Sequence, residues 1–166
     1  MSNTVYCKLS ACGSDPEIER FVQSCSSKAG DHFSFRGLIP PPVEKPGPEW
    51  RVCNWSSSSD AREYSEFVIS PGMVDITFEV AHYPPQEWLS AAANVFPSLT
   101  FLLSWVDLPD GGSFWAEDGQ IQCDTMVSSE NKVQDNENTY AHKMSSLCYH
   151  FHHEILASFP DHPFYT

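Results

Sequence analysis

No stretch of this sequence approaches the roughly eighteen consecutive apolar residues that a membrane-spanning helix needs, so none is expected. Met1 to Ala11 lacks the basic start and apolar run of a secretory signal, which predicts a cytoplasmic protein in its host cell. Cys7, Cys12, Cys25, Cys53, Cys123 and Cys148 contain no C-x-x-C pair and no tight cluster. That spacing predicts free thiols packed as small hydrophobes rather than disulfides. G-x-S-x-G, a glycine-rich phosphate loop and H-E-x-x-H are all missing, which takes away the usual signatures of serine hydrolases, nucleotide binders and zinc peptidases. No repeat recurs at a solenoid period, and no cofactor is implied.

Basic residues are scarce, and their scarcity is one-sided. The net charge is −13. Through Arg62, seven basic side chains balance seven acidic ones, whereas from Glu63 onward only Lys132 and Lys143 oppose fifteen carboxylates. A surface of that sign repels nucleic acid and membranes and attracts basic partners over about a Debye length. Plain solubility is the competing explanation, because most acidic proteins do nothing special with their charge.

What is present reads as alternating strands and helices. Met73 to Val106 is the clearest unit. Val74, Ile76, Phe78 and Val80 alternate with polar residues as a half-buried strand does. Pro84 and Pro85 open a helix whose apolar stripe is Trp88, Ala92, Val95 and Phe96, and Pro97 stops it. Leu99, Phe101, Leu103 and Trp105 form the next strand. Earlier, Val5, Cys7 and Leu9 mark a first strand. A helix follows, capped by Ser14 or Asp15, with Glu17 closing a capping box and Ile18, Phe21, Val22 and Cys25 as its stripe. Phe33 to Ile39 is expected to be a second strand, Val43 to Glu49 a proline-rich crossing, Ser56 to Ser59 a mobile loop, and Tyr64 to Ile69 extended.

After Val106 the chain should become a meander. Asp110-Gly111-Gly112 and Asp118-Gly119 are hairpin signals, pairing the strand that ends at Val106 with Phe114 to Glu117, and that with Gln120 to Val127. One of Phe114 and Trp115 is expected to be exposed. Ser128 to Asn138 is polar and unpatterned, and Tyr140, Met144, Leu147, Phe151 and Ile155 follow a helical stripe. The order implies an α+β fold: a ferredoxin-like antiparallel sheet with two helices on one face, a C-terminal β-hairpin extension and an added C-terminal helix. Residues 1–128 would form the domain, and residues 129–166 a linker and helix packed on it.

A set of short motifs resembles the YubB-type family of ferredoxin-like-domain proteins encoded by plasmids and phages. It consists of Ser14-Asp15-Pro16-Glu17, Phe33-Ser34-Phe35 running into Ile39-Pro40, Trp50-Arg51, Asn54-Trp55, Asp60-Ala61, Ile76-Thr77-Phe78-Glu79, Pro84-Pro85 and Phe96-Pro97-Ser98-Leu99-Thr100-Phe101. The resemblance covers about residues 3 to 125. It implies a fold and a mobile-element origin, and no chemistry. The chain departs from the family at Ser56 to Ser59, where relatives carry a glycine and a further tryptophan.

Two functional readings follow. Asp75, Glu79, Asp107, Asp110, Glu117, Asp118 and Asp124, with Trp115 as an aromatic anchor, form a candidate surface for a basic host protein or nucleoprotein complex, imitating phosphates or blocking a channel. On that reading the protein is a non-enzymatic inhibitor of a host defence system, an anti-CRISPR protein for example, and binds no nucleic acid directly. The alternative uses His150, His153 and Glu154, which fall at i, i+3 and i+4 of the last helix and could offer metal ligands from one face, in a metal-binding protein or hydrolase. A polar helix face is the plainer account of those residues. Self-association as a homodimer is a third reading.

Overall fold

The computed structural model describes residues 3–27, 32–107 and 110–128, together with His152. Its first strand, β1 (Thr4–Cys12), turns Val5, Cys7, Leu9 and Ala11 to one side and Tyr6, Lys8, Ser10 and Cys12 to the other, as a period of two requires. Helix α1 (Asp15–Cys25) follows directly, with Pro16 in its first turn and Ile18, Phe21 and Cys25 buried. The expected capping box does not form. Ser14 is the N-cap residue without a side-chain bond, while the Glu17 carboxylate pairs with Arg20 and accepts from Ser98 instead.

The segment after α1 differs from the expected strand. Phe33 makes only an isolated bridge to Ser26, and Phe35–Gly37 is a single 3-10 turn. The alternation of Phe33 and Phe35 is real, but it serves a different end. Both rings are buried and meet edge to face, 5.7 Å apart, and both contact Trp88, Phe33 edge to face and Phe35 at a shallow tilt. The Asp60 carboxylate holds this turn, accepting from Ser34 Oγ at 2.6 Å and from the Phe35 N–H at 2.8 Å. A side-chain acceptor therefore takes the place of a ladder partner. Helix α2 (Pro48–Trp55) then fills a stretch too short and too aromatic to announce itself, starting with proline at its first turn and ending at Ser56 in the left-handed region.

Ser56 to Ser59 is tied down rather than mobile. Ser57 is fully buried, the Ser58 hydroxyl bonds Ala81 O and His82 Nδ1, and the Ser59 hydroxyl accepts from the Ala81 N–H at 2.9 Å. Serines here replace the hydrogen bonds that a regular strand would have supplied.

The remaining elements are β2 (Val68–Ser70), β3 (Met73–Ala81), α3 (Gln86–Val95), β4 (Thr100–Asp107), β5 (Asp110–Glu117) and β6 (Gln120–Ser128). All six strands form one antiparallel sheet in the order β2-β3-β1-β4-β5-β6. The fold is α+β, with three α-helices among the described residues. The C-terminal meander forms in the expected order, and Asp118 and Gly119, both at positive φ, make its last turn. Gly111 and Gly112 are strand residues opposite Val106 and Trp105, not turn residues as expected. In α3 the buried stripe is Trp88, Leu89, Ala92 and Ala93; Val95, expected inside, is exposed.

One core joins Phe21, Trp55, Trp88 and Phe96 from the helical side to Val5, Leu9, Ile76, Phe78, Phe101, Leu103 and Phe114 of the sheet. The other face of the sheet is also buried along its centre. Tyr6, Ser10, Leu102, Ser104, Val106, Ser113 and Trp115 lie on it, and all are largely removed from solvent.

Candidate functional site

The second face of the sheet carries a row of polar side chains. Pairing places Asp75 beside Ser10, and the Ser10 hydroxyl donates to Asp75 Oδ1. Ser10 Oγ lies 2.7 Å from Nε2 of His152, whose Nδ1 lies 2.9 Å from Ser104 Oγ. The protons can be placed by counting. A carboxylate only accepts, so the single Ser10 hydrogen goes to Asp75 and Ser10 must accept from Nε2–H. In the neutral ring Nδ1 is then the acceptor, and Ser104 donates to it.

This arrangement holds rather than reacts. The imidazole lies between two hydroxyls, and the carboxylate orients a serine instead of the histidine, which reverses the order of a nucleophilic triad. Ser10, Ser104 and His152 are each no more than 2 % exposed, so no substrate carbonyl reaches either hydroxyl. His150, His153 and Glu154 lie outside the described residues. Among the described residues no group of three metal-ligating side chains comes together.

The structure distributes the carboxylates instead of gathering them. Asp75, Glu79 and Glu117 lie on the same face as Ser10, whereas Asp107, Asp110 and Asp124 alternate onto the helical face. Asp110 and Glu117 end opposite ends of β5, about 23 Å apart at the usual rise per residue. Asp110, Asp118 and Asp124 are exposed, and Glu79 and Glu117 are half-buried. Asp75 is not the outward carboxylate expected, because it is half-buried and engaged by Ser10. Trp115 is not an exposed anchor either. It is 5 % exposed and its indole N–H donates to Glu117 Oε2 at 3.3 Å, while Phe114 is buried on the opposite face.

Two carboxyls are held above their ordinary range. Burial raises Glu79, reinforced by Glu63 and opposed by Arg62. Burial likewise raises Asp107, reinforced by Asp110 directly across the strand pair and opposed by His82. A raised carboxyl favours the fold only while it is protonated, so this contribution is present below the unfolded carboxylate pKa and is lost as pH rises through the folded one. Asp107→Asn is therefore expected to raise the melting temperature at pH 7, with the gain over wild type shrinking as pH falls below the carboxylate range. Thermal melts of both proteins across that range check it; a gain independent of pH would mean the charge is not the cause.

Charge is nevertheless segregated along the chain. From Glu63 to Ser128 the sequence has ten carboxylates and no lysine or arginine. The arginines of the other half are turned onto the chain's own atoms. Arg20 pairs with Glu17 and covers the Phe96 ring, and Arg36 lies 3.7 Å from Asp60. Arg51 donates to Pro46 O and Ser58 O, and Arg62 to Thr4 Oγ1. These four arginines thus each have a partner within the chain, Arg20 and Arg36 at the surface, while exposed carboxylates at Glu63, Glu66, Asp110, Asp118 and Asp124 face solvent.

Sequence reasoning missed a cleft of about 480 Å³ between α2 and α3, lined by Ile39, Cys53, Asn54, Glu87, Ser90 and Asn94 among others. It missed the cleft because it missed α2; proline followed by glutamate at Pro48-Glu49 was the available signal of a helix start. The cleft is shallow and polar, and among the described residues its ionisable lining groups are the Glu87 carboxylate and the Cys53 thiol. Comparison with protein-family models, with curated proteins and with solved structures finds no match for this chain.

Proposed function

We propose that this protein is a non-enzymatic binding protein that docks on a basic surface of a host protein or nucleoprotein complex. The observation that carries the reading is the sorted charge: ten carboxylates without a lysine or arginine from Glu63 to Ser128, and arginines elsewhere turned onto the chain's own atoms. Such a surface steers a basic partner into encounter and repels nucleic acid. Because the carboxylates lie on both faces and at both ends of β5, the contact would be a broad rim rather than a phosphate-like line. The resemblance to plasmid and phage proteins supports a mobile-element origin, with the target a nucleic-acid-binding component of a host defence system. The strand order β2-β3-β1-β4 supports a ferredoxin-like core, with β5 and β6 as its hairpin extension.

The test is a tagged chain used to capture host proteins at about 0.1 M and about 1 M salt, where the Debye length falls from about 10 Å to about 3 Å. Recovery of a basic protein at low salt only, abolished when Asp110, Glu117, Asp118 and Asp124 are all replaced by lysine in a variant that still folds, is the expected result. Binding untouched by the four replacements would remove the charge reading.

A further inference from the structure

The sheet ends at β2, three residues long and exposed throughout. Val68 is 61 % and Ile69 59 % exposed, the two highest values among the exposed large hydrophobics of the described residues. Their backbone is equally available. Glu79 exchanges hydrogen bonds with Arg62, and Thr77 O accepts from the Ser65 N–H, so the odd-numbered residues of β3 point their backbone groups toward this edge. By the alternation of an antiparallel ladder, Asp75 and Met73 do the same, bonding Val68 and Ser70. Ile69, between them, must turn its N–H and C=O outward. An apolar side chain on each face and an open donor and acceptor between them are what an added strand needs.

Charge selects the occupant. Glu63 and Glu66 are exposed just upstream of β2, and no lysine or arginine occurs between Glu63 and Ser128. A second copy of this chain would bring no cation to that edge from its own acidic half, whereas a basic strand would be drawn in. We infer that β2 is a strand-addition site for an extended basic segment of the partner, with apolar residues alternating between its lysines or arginines, the outward backbone of Ile69 pairing with it and Glu66 meeting its charge. This inference rests on the acidic-docking reading and specifies how one part of that contact is made.

The test uses the whole chain and a labelled seven-residue peptide of alternating lysine and valine, read by fluorescence anisotropy at about 0.1 M salt. Two control peptides of the same sequence are N-methylated at every second residue, one in each frame; their charge is unchanged and only one frame blocks pairing. Binding weakened about tenfold by N-methylation in one frame, and similarly by Ile69→Pro, is expected, since each change removes one N–H donor of the Ile69 pair, a loss of about that order, and sets carbon where the strands would meet. Glu66→Lys should weaken all the peptides. Equal binding of the three peptides, unaffected by Ile69→Pro, would overturn strand addition while leaving electrostatic docking intact. No binding of any peptide would overturn the edge site, the charge-reversal capture then deciding the broader reading by itself. A mass that doubles with concentration and is abolished by Ile69→Pro would assign the edge to a second copy instead.

Discussion

Trp88→Ala is expected to lower stability by about 3–5 kcal/mol, the usual cost of removing a fully buried tryptophan. Trp88 has no exposed surface and meets Phe21, Phe33 and Phe35, with ring centroids 6.5, 5.6 and 4.9 Å away. Those contacts tie α3 to α1 and to the 3-10 turn, so the cavity would open where three segments converge and none could relax alone. Trp88→Phe separates packing from polarity. The indole N–H is buried without a hydrogen-bond partner among the described residues, so removing it gives up no bond and relieves an unsatisfied donor. The phenylalanine variant should lose well under half of what the alanine variant loses. Urea unfolding of both checks this; equal losses would show that the indole N–H has a partner after all.

His152→Ala is expected to cost about 2–3 kcal/mol, because it deprives two buried hydroxyls, Ser10 and Ser104, of the ring they bond. The informative measurement is a double-mutant cycle with Ser10→Ala. If the row acts as described, the two losses should fall short of additivity by about 0.5–3 kcal/mol, since the second substitution removes a group whose partner is already gone. Additive losses would mean that His152 stabilises the protein through packing alone. Asp75→Asn should behave differently from an exposed carboxylate change, as the amide can still accept from Ser10 but does so without charge.

Both predictions depend on contacts that local sequence does not reveal. Trp88 and Phe21 were legible as helix-stripe residues, but Phe33 and Phe35 alternate as in a strand and end in a 3-10 turn, because Asp60, distant in sequence, offers the better partner to the Phe35 N–H. His152 belonged to a histidine-rich run whose ligand-like spacing drew attention to His150 and His153. Its pairing with Ser10, 142 positions earlier, has no sequence signal. Asp75 similarly looked like an outward strand carboxylate, and period-two alternation did place it on the face opposite the hydrophobic core. Alternation does not say whether that second face is covered, and here its centre is buried.

By itself, the sequence determined the α+β class, the strand-helix-strand unit from Met73 to Val106, the C-terminal meander with its turn at Asp118-Gly119, and the acidity of everything after Arg62. These are properties of local periodicity, turn chemistry and composition, which need no knowledge of what lies across the sheet. Only the tertiary structure decided that the serines of Ser56 to Ser59 are bonds rather than slack, that Trp115 is internal, and that Arg20, Arg36, Arg51 and Arg62 each find a partner within the chain. It also decided that the carboxylates divide between two faces and that Ile69 lies exposed on the outermost strand of the sheet. Each of these follows from strand order and register, which bring residues far apart in sequence to within hydrogen-bonding distance and which a one-residue shift would exchange between faces.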